Sequence, residues 1–298
     1  MNDAFVKITK SEAGYELLDS GEGEKLERYG SVLMSRPDPQ ALWHKNLDKK
    51  VWQNVHARFV NKEGKVGWEA GADIPKKWMM EFGGLKFWIK PTAFKHTGIF
   101  PEQLENWNWM RGIIKSAVSK GRPVSVLNLF GYTGGATLAA AQAGASVCHL
   151  DASKVAISWG KENADISGLS DKPIRWILDD AVDFVQREIR RGNKYDGIVM
   201  DPPSFGHGPD GQVWKIEKSL LPFLDDCKKL LSEDSLFVLV NGYAAGYSSL
   251  AYRNSLHGIV ADFPGVGKDI ESGELAIEES KSGRLLPCGI FARWQSKE

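Results

Sequence analysis

The stretch that decides the fold is Val124-Ser-Val-Leu-Asn-Leu-Phe130, which runs into Gly131-Tyr-Thr-Gly134-Gly135 and the alanine-rich segment Ala136 to Ala143. A short apolar run of this kind reads as a strand buried on both faces. The glycines close it in a tight turn and let a helix begin close beneath it. The same rhythm continues downstream. Strands are expected at 146–150, 174–178, 195–200 and 236–240, and helices at 153–167, 182–190 and 215–231. Residues 248–260 read as another helix, and 274–279 with 289–295 as a closing strand pair around Ser282-Gly283. Short apolar strands alternating with helices predict an α/β domain with a parallel sheet covered on both faces.

Working outward toward the N-terminus, Pro101 to about Ser119 reads as a helix with proline in its first turn. Before it the pattern is β. Val55–Val60 and Gly64–Trp68 flank the turn signal Asn61-Lys62-Glu63. In 85–90, Leu85, Phe87 and Ile89 face one way and Lys86, Trp88 and Lys90 the other. The expected division is a small β-rich domain over 1–91 and the α/β domain over 92–298.

The chain of 298 residues carries 38 basic and 38 acidic side chains, a formal net charge of zero. That balance excludes a uniformly basic coat. It is not evenly distributed. Residues 39–100 hold eleven Lys or Arg against five Asp or Glu, a net +6, so the remainder sums to −6. Seven of the eleven tryptophans lie between Trp43 and Trp109. Basic side chains neutralise phosphates and indoles stack on bases, so Lys86, Trp88 and Lys90, with Lys76, Lys77 and Trp78, form a candidate RNA platform. Packing within the small domain is the other reading of these tryptophans.

Three separated cysteines, Cys148, Cys227 and Cys288, give neither a disulfide framework nor a zinc site. The six histidines show no ligand spacing, and no metal is expected. Residues 1–30 lack the apolar run of a signal peptide, and no segment approaches a membrane span. The expectation is a cytoplasmic protein with no membrane partner; the oligomeric state stays open.

Chemistry is expected at the carboxyl ends of the strands, where open α/β sheets bind ligands. The glycine turn lacks the GxGxxG spacing of a dinucleotide site. Asp151 ends the second strand, where a carboxylate can hold a ribose diol; it could equally cap the next helix. Asp179-Asp180-Ala181 ends the third, where a carboxylate can accept from an adenine amine or cap the helix from Val182. The fourth strand runs into Asp201-Pro202-Pro203-Ser204-Phe205. Two prolines remove two N–H donors, leaving a cluster of acceptors suited to a substrate NH2 group, with Phe205 placed to stack on a planar base.

With these motifs the chain resembles the class I S-adenosylmethionine-dependent methyltransferases, and among them the bacterial ribosomal-RNA methyltransferases with an Asp-Pro-Pro-x-Phe loop. The resemblance covers about 92–297. It rests on Phe94-Lys-His-Thr-Gly-Ile-Phe100 with Gln103, which is similar to the family's Lys-Thr-Gly-Phe-Phe…Gln segment, and on Asn128–Gly135, Asp151, Glu162-Asn163, Asp179–Ala181 and Asp201–Phe205. It implies a Rossmann-like, mostly parallel sheet of seven strands whose last strand is antiparallel. It also implies S-adenosyl-L-methionine as cofactor. Thr97, Gly98, Ile99 and Phe100 would line the pocket by the methionine moiety, and Phe130, Gly131, Tyr132, Thr133 and Gly134 would lie under it. Asp151, with Ala152 and Ser153 beside it, would hold the ribose hydroxyls. Asp179, Asp180 and Ala181 would bracket adenine. Asp201, Pro202 and Phe205 would face the methyl acceptor.

Family members that methylate cytosine C5 use a cysteine after strand five. Here that strand ends in Asn241-Gly242-Tyr243, which disfavours the covalent route and looks like the Asn-containing segment of guanine-modifying relatives. The expected activity is methyl transfer to a ring or exocyclic nucleobase nitrogen, in ribosomal RNA. The alternative acceptor is a nitrogen of a protein amide or a small molecule. A binding-only protein is opposed by the intact Asp201–Phe205 loop, and a nicotinamide-dependent dehydrogenase by the glycine spacing.

Overall fold

The computed structural model describes residues 5–62, 65–71, 74–93, 95–243, 246–263 and 270–296. Glu63, Gly64 and Phe94, named above, lie outside the described residues. The chain forms two compact units: Ile8–Leu104 with Ala276–Cys288, and Met1–Lys7 with Glu105–Leu275 and Gly289–Glu298. The sequence placed one boundary near Pro91; the division instead falls at Leu104, and a C-terminal segment returns to the first unit. The reason is local pairing: Ser280 N donates to Leu17 O (2.8 Å), and Leu17 bridges Glu279 in parallel.

After β1 (Phe5–Thr9), the first unit contains β2 (Tyr15–Gly21), β3 (Glu24–Tyr29), β4 (Val32–Pro37), α1 (Lys49–Gln53), β5 (Ala57–Lys62) and β6 (Lys65–Ala70). These strands make a five-stranded sheet in sequential order, with β4–β5 parallel and its other pairs antiparallel. β7 (Trp78–Phe82) and β8 (Leu85–Ile89) form a separate antiparallel hairpin. The alternation read in 85–90 holds: Leu85, Phe87 and Ile89 are buried and Lys86 is exposed.

Strands β2 to β4 had a weak sequence signal because polar side chains are mixed into their interior. Asp19, Ser20, Glu27 and Ser35 are fully buried. Glu27 accepts from Arg36 Nε (2.7 Å), Arg36 Nη2 (2.8 Å), Tyr15 (2.8 Å) and Tyr29 (3.0 Å). Burial would raise this carboxyl, but Arg36 and Lys25 hold it down at about 2. Lys25 also pairs with Asp38 at 3.1 Å. Several tryptophans close similar contacts with their indole N–H: Trp43 to Ser20 O (3.0 Å), Trp52 to Asp19 (2.9 Å), Trp68 to Thr92 O (2.8 Å) and Trp78 to Tyr29 O (2.9 Å). Much of the tryptophan excess therefore holds this unit together.

The second unit follows the predicted alternation. A 3₁₀ turn at Pro101–Gln103 leads into α2 (Leu104–Ser119). Then come β9 (Ser125–Leu129), α3 (Gly135–Gln142), β10 (Ser146–Asp151), α4 (Lys154–Ile166), β11 (Ile174–Leu178), α5 (Ala181–Arg190) and β12 (Gly197–Met200). A short hairpin, β13 (Phe205–His207) with β14 (Val213–Lys215), precedes α6 (Ile216–Lys229). The chain ends in β15 (Phe237–Gly242), α7 (Ser249–Val260), β16 (Glu271–Glu278) and β17 (Leu285–Gln295). The sheet order is β1-β16-β17-β15-β12-β9-β10-β11, with β17 antiparallel to β15. The seven expected strands are present with the antiparallel partner expected, and β1 adds an eighth at the edge. Its core is continuous from Leu127, Leu129 and Leu150 through Ile198 and Met200 to Val238 and Val240, all at most 1% exposed. None of the described helices is long and apolar enough to cross a membrane.

Candidate active site

From β9 the chain winds to β10 and β11 on one side, then returns to β12 and β15 on the other. The crevice between β9 and β12 is thus the topological switch point, where such sheets open to ligands. Register aligns the strand ends there. Leu129 pairs with both Met200 and Leu150, and Met200 pairs with Val240. Phe130, Asp151, Asp201 and Asn241 therefore leave their strands level with one another. Asp151 pairs with Leu178, which sets Asp179 one residue beyond.

The turn after β9 is strained and tightly held. Phe130 and Tyr132 adopt left-handed φ values of +58° and +49°, and Gly134 has φ +91°. Non-glycine residues stay there only where their surroundings fix them. Here Gly131 N donates to Leu150 O (2.9 Å), Tyr132 N to Asp151 Oδ2 (2.8 Å), and Asn163 Nδ2 to Thr133 O (3.0 Å). A Cβ on Gly135 would lie 2.3 Å from the ring of Trp107, so the helix start tolerates no side chain. Below the turn, Asn128 Nδ2 donates to Thr137 Oγ1 (2.8 Å), which meets His149 Nδ1 (2.8 Å). Burial lowers His149 to about 3, so this imidazole is neutral.

Asp151 accepts from Tyr132 N through Oδ2 and from Ser153 N through Oδ1, each at 2.8 Å. Burial raises its carboxyl against those two amide bonds. A carboxylate has about four acceptor positions, so capacity for a diol remains. Ala152 separates Asp151 from Ser153, whose hydroxyl caps α4 through Ala156 N (3.2 Å). Asp180 caps α5, accepting from Val182 N (2.8 Å) and Asp183 N (3.1 Å). Asp179 accepts from Asp180 N and pairs with Arg187. Ala181 is buried at the first turn of α5. The capping alternative read for this segment is therefore realised in its side-chain bonds.

The Asp201–Phe205 loop leaves β12 beside the strained turn. Burial alone pushes the Asp201 carboxyl up to about 6. Among the described residues no group donates to it. Trp214 Nε1 donates to Pro203 O (2.6 Å), and Ile216 N to Ser204 O (3.0 Å). The acceptor set thus narrows to the Asp201 carboxylate and the carbonyls preceding Pro203. Phe205 is 55% exposed and meets His207 edge-on at 5.0 Å.

Thr97, Gly98, Ile99 and Phe100 belong to the first unit. There Thr97 and Ile99 are buried, Gly98 has φ +105°, and Lys90 N donates to Thr97 O (3.2 Å). Asn241 is buried, and its Oδ1 accepts from Asn106 Nδ2 (2.8 Å), whose Oδ1 accepts from Arg293 Nη1 (3.1 Å). The Asn241 carbonyl oxygen is thereby engaged at the strand end, a bond that does not use its NH2 group. All three cysteines are buried thiols. Burial raises Cys148 to about 11 and raises Cys227 and Cys288 as well. None is a poised nucleophile.

Sequence reading named Asn128 and Asn163 within motifs but gave them no role, and it missed Thr137, His149 and Trp214 as parts of this site. The hairpin carrying Trp214 did have a signal, the turn Gly208-Pro-Asp-Gly211 between short β-prone runs.

A profile of the S-adenosylmethionine-dependent methyltransferase family matches residues 49–247. The crystal structure of an S-adenosylmethionine-dependent methyltransferase from Agrobacterium tumefaciens is similar at 40% identity and a TM-score of 0.92, over 98% of this chain and 94% of that one. Ribosomal RNA large subunit methyltransferase K of Neisseria meningitidis serogroup B is 26% identical over 74% of this chain and 63% of its own length. Methyltransferase K/L of Shewanella frigidimarina is 32% identical over 72% of this chain and 28% of its own length. The chain thus spans less than two thirds of these curated relatives. It belongs to the S-adenosylmethionine-dependent methyltransferase family, and S-adenosylmethionine is its cofactor. The strained glycine turn and the spare acceptor capacity of Asp151 suit that molecule.

Proposed function

We propose that this member of the S-adenosylmethionine-dependent methyltransferase family transfers a methyl group to a ring or exocyclic nitrogen of a nucleobase in ribosomal RNA. The observation that carries the reading is the Asp201 loop. Its two prolines carry no N–H, and the Asp201 carboxylate, which accepts from no described group, lies at the switch point level with the cofactor turn. Such a loop accepts N–H bonds from an amine and directs the nitrogen lone pair outward. Bound S-adenosylmethionine supplies a methyl group already activated on a sulfonium, so alignment is the main demand on the protein. A carboxyl at about 6 also takes up the released proton more readily than an ordinary aspartate. The raised thiols give no support to a cysteine adduct route. The RNA assignment draws on the ribosomal-RNA methyltransferases that the chain resembles, and a cytoplasmic location goes with that substrate.

In this reading Phe130 to Gly134 cradle the methionine portion. Asp151, next to Ala152 and Ser153, takes the ribose hydroxyls, and Asp179 to Ala181 flank adenine. Asp151→Ala is expected to weaken S-adenosylhomocysteine binding about 10- to 100-fold, the loss of one or two hydrogen bonds to a charged acceptor. Titration calorimetry reads this, and unchanged affinity would remove Asp151 from the cofactor site.

The hairpin β7–β8 with its flanking Lys76, Lys77 and Lys90 is the proposed RNA-facing surface. Lys77 Nζ sits 4.1 Å from the centroid of the Trp88 ring, on the strand face that carries Lys86. Reversing charge at Lys86 and Lys90 should flatten the salt dependence of single-stranded RNA binding, by about 0.7 log units for each phosphate that is no longer neutralised. A slope equal to the wild type's would place both lysines outside the interface.

Transfer of labelled methyl from S-adenosylmethionine into fractionated cell extract tests the reading. Label in ribosomal RNA supports it. Label confined to protein or small molecules gives the acceptor to the alternative class. Tight binding of NAD without S-adenosylhomocysteine binding would overturn the reading altogether.

A further inference from the structure

The hairpin β13–β14 has no counterpart in the β–α alternation. It sits between the acceptor loop and α6, and it is anchored at both ends within the second unit. At its root Trp214 is 6% exposed, and its indole N–H donates to Pro203 O at 2.6 Å. The same ring meets Phe130 edge-on at 5.2 Å and Phe223 at 5.3 Å. Phe130 also packs against Phe223 at 5.7 Å. One side chain therefore touches both the loop that follows Asp201 and the first residue of the strained turn. At the tip, Gln212 Nε2 donates to Asp183 Oδ2 (2.9 Å), and a Cβ on Gly208 would lie 2.8 Å from Asp180 Oδ2. The hairpin thus lies against the start of α5 as well.

Two prolines deprive the Asp201 loop of amide donors, so it cannot tether itself through N–H groups at Pro202 and Pro203. A loop that must present acceptors to a substrate needs its unused carbonyls held from outside. Trp214 does this for Pro203, while β14 returns the chain so that Ile216 N holds Ser204 O at 3.0 Å. In-line transfer is sensitive to displacements of about 1 Å between donor and acceptor, which can lower rate about 100-fold.

We propose that Trp214 is a positioning residue for methyl transfer. Its N–H on Pro203 and its ring on Phe130 fix the acceptor loop relative to the cofactor turn. This rests on the reading of Asp201 and Phe130 given above. Trp214 touches neither reactant in this assignment; it acts through Pro203 and Phe130.

The test compares full-length wild type with Trp214→Phe, which keeps an aromatic ring and removes the N–H, and with Trp214→Leu. Three quantities are read: kcat for methyl transfer to RNA, the Kd for S-adenosylhomocysteine, and amide hydrogen exchange. For Trp214→Phe the expected result is a kcat about tenfold lower. The Kd stays within about twofold, and exchange accelerates in peptides spanning 201–216. Trp214→Leu should in addition weaken cofactor binding, because it also removes the ring from Phe130. Unchanged kcat and unchanged exchange in Trp214→Phe would overturn the proposal. So would equal losses of kcat and affinity with faster exchange across the whole second unit, since that is a folding role. If the wild type labels no RNA, the RNA reading fails. The exchange and affinity data, which need no acceptor, then decide Trp214 alone.

Discussion

Replacing Asp201 by alanine is expected to lower methyl transfer about a thousandfold, the scale seen when a pre-organised polar group is removed from a reacting centre. Cofactor affinity should stay within about threefold, because in the proposed reading Asp201 faces the methyl acceptor and not the cofactor. Proportional loss of both would make Asp201 a cofactor or folding residue. The burial that raises this carboxyl to about 6 also sets a pH dependence. Below pH 6 Asp201 carries a proton and becomes a donor toward an amine that itself donates, so kcat should fall about tenfold per unit as pH drops. The stability sign is opposite to that of a paired aspartate. A folded-state value above the unfolded one favours the folded form at low pH, and that advantage is lost as pH rises from about 4 to about 6. Asp201→Asn should therefore stabilise the protein at pH 8 by on the order of 1–3 kcal/mol and have little effect at pH 4. Thermal unfolding at the two pH values reads this. An inactive variant that is also more stable is the signature of a residue kept for chemistry.

The second large effect lies in the first unit. Arg36→Met takes from the fully buried Glu27 two of its four hydrogen bonds and the guanidinium beside it. The expected cost is about 3–5 kcal/mol, as for other buried pairs that lose one partner. The double replacement Glu27→Leu with Arg36→Met should recover much of that cost, because no charge of the pair is then left unpaired. Chemical denaturation of the three proteins checks it, and a loss below about 1 kcal/mol in Arg36→Met would deny the pair its role. Glu27 is depressed to about 2 against the lifting effect of burial. Its contribution is complete above its unfolded value and disappears as pH falls from about 4.5 toward 2.

These two sites also show what a sequence can carry. The parallel sheet was legible because its central strands are apolar: 197–200 and 237–240 are buried at every residue, so pattern and structure coincide. The strand-end aspartates followed from the strand ends. Strands β2 to β4 were hidden because their inward positions include Asp19, Glu27 and Arg36, and the burial of Asp19 depends on partners far away in the chain. Arg284, for example, reaches Asp19 at 2.9 Å across 265 positions. The tryptophan cluster was visible as composition, but its meaning lay in which carbonyl each indole found. Trp214 stood outside that cluster, and its importance comes from a backbone acceptor, Pro203, that no residue pattern marks. Asn241 shows the converse: its position at the end of β15 suggested chemistry, while its side-chain oxygen is already taken by Asn106.

The most direct measurement is mass spectrometry of nucleosides from the ribosomal RNA of a strain lacking this protein, complemented with the wild type or with Asp201→Ala. The account predicts that one N-methylated nucleoside is missing in the deletion, returns with the wild type and does not return with Asp201→Ala. An unchanged set of methylated nucleosides in the deletion strain, or restoration by Asp201→Ala, would contradict it.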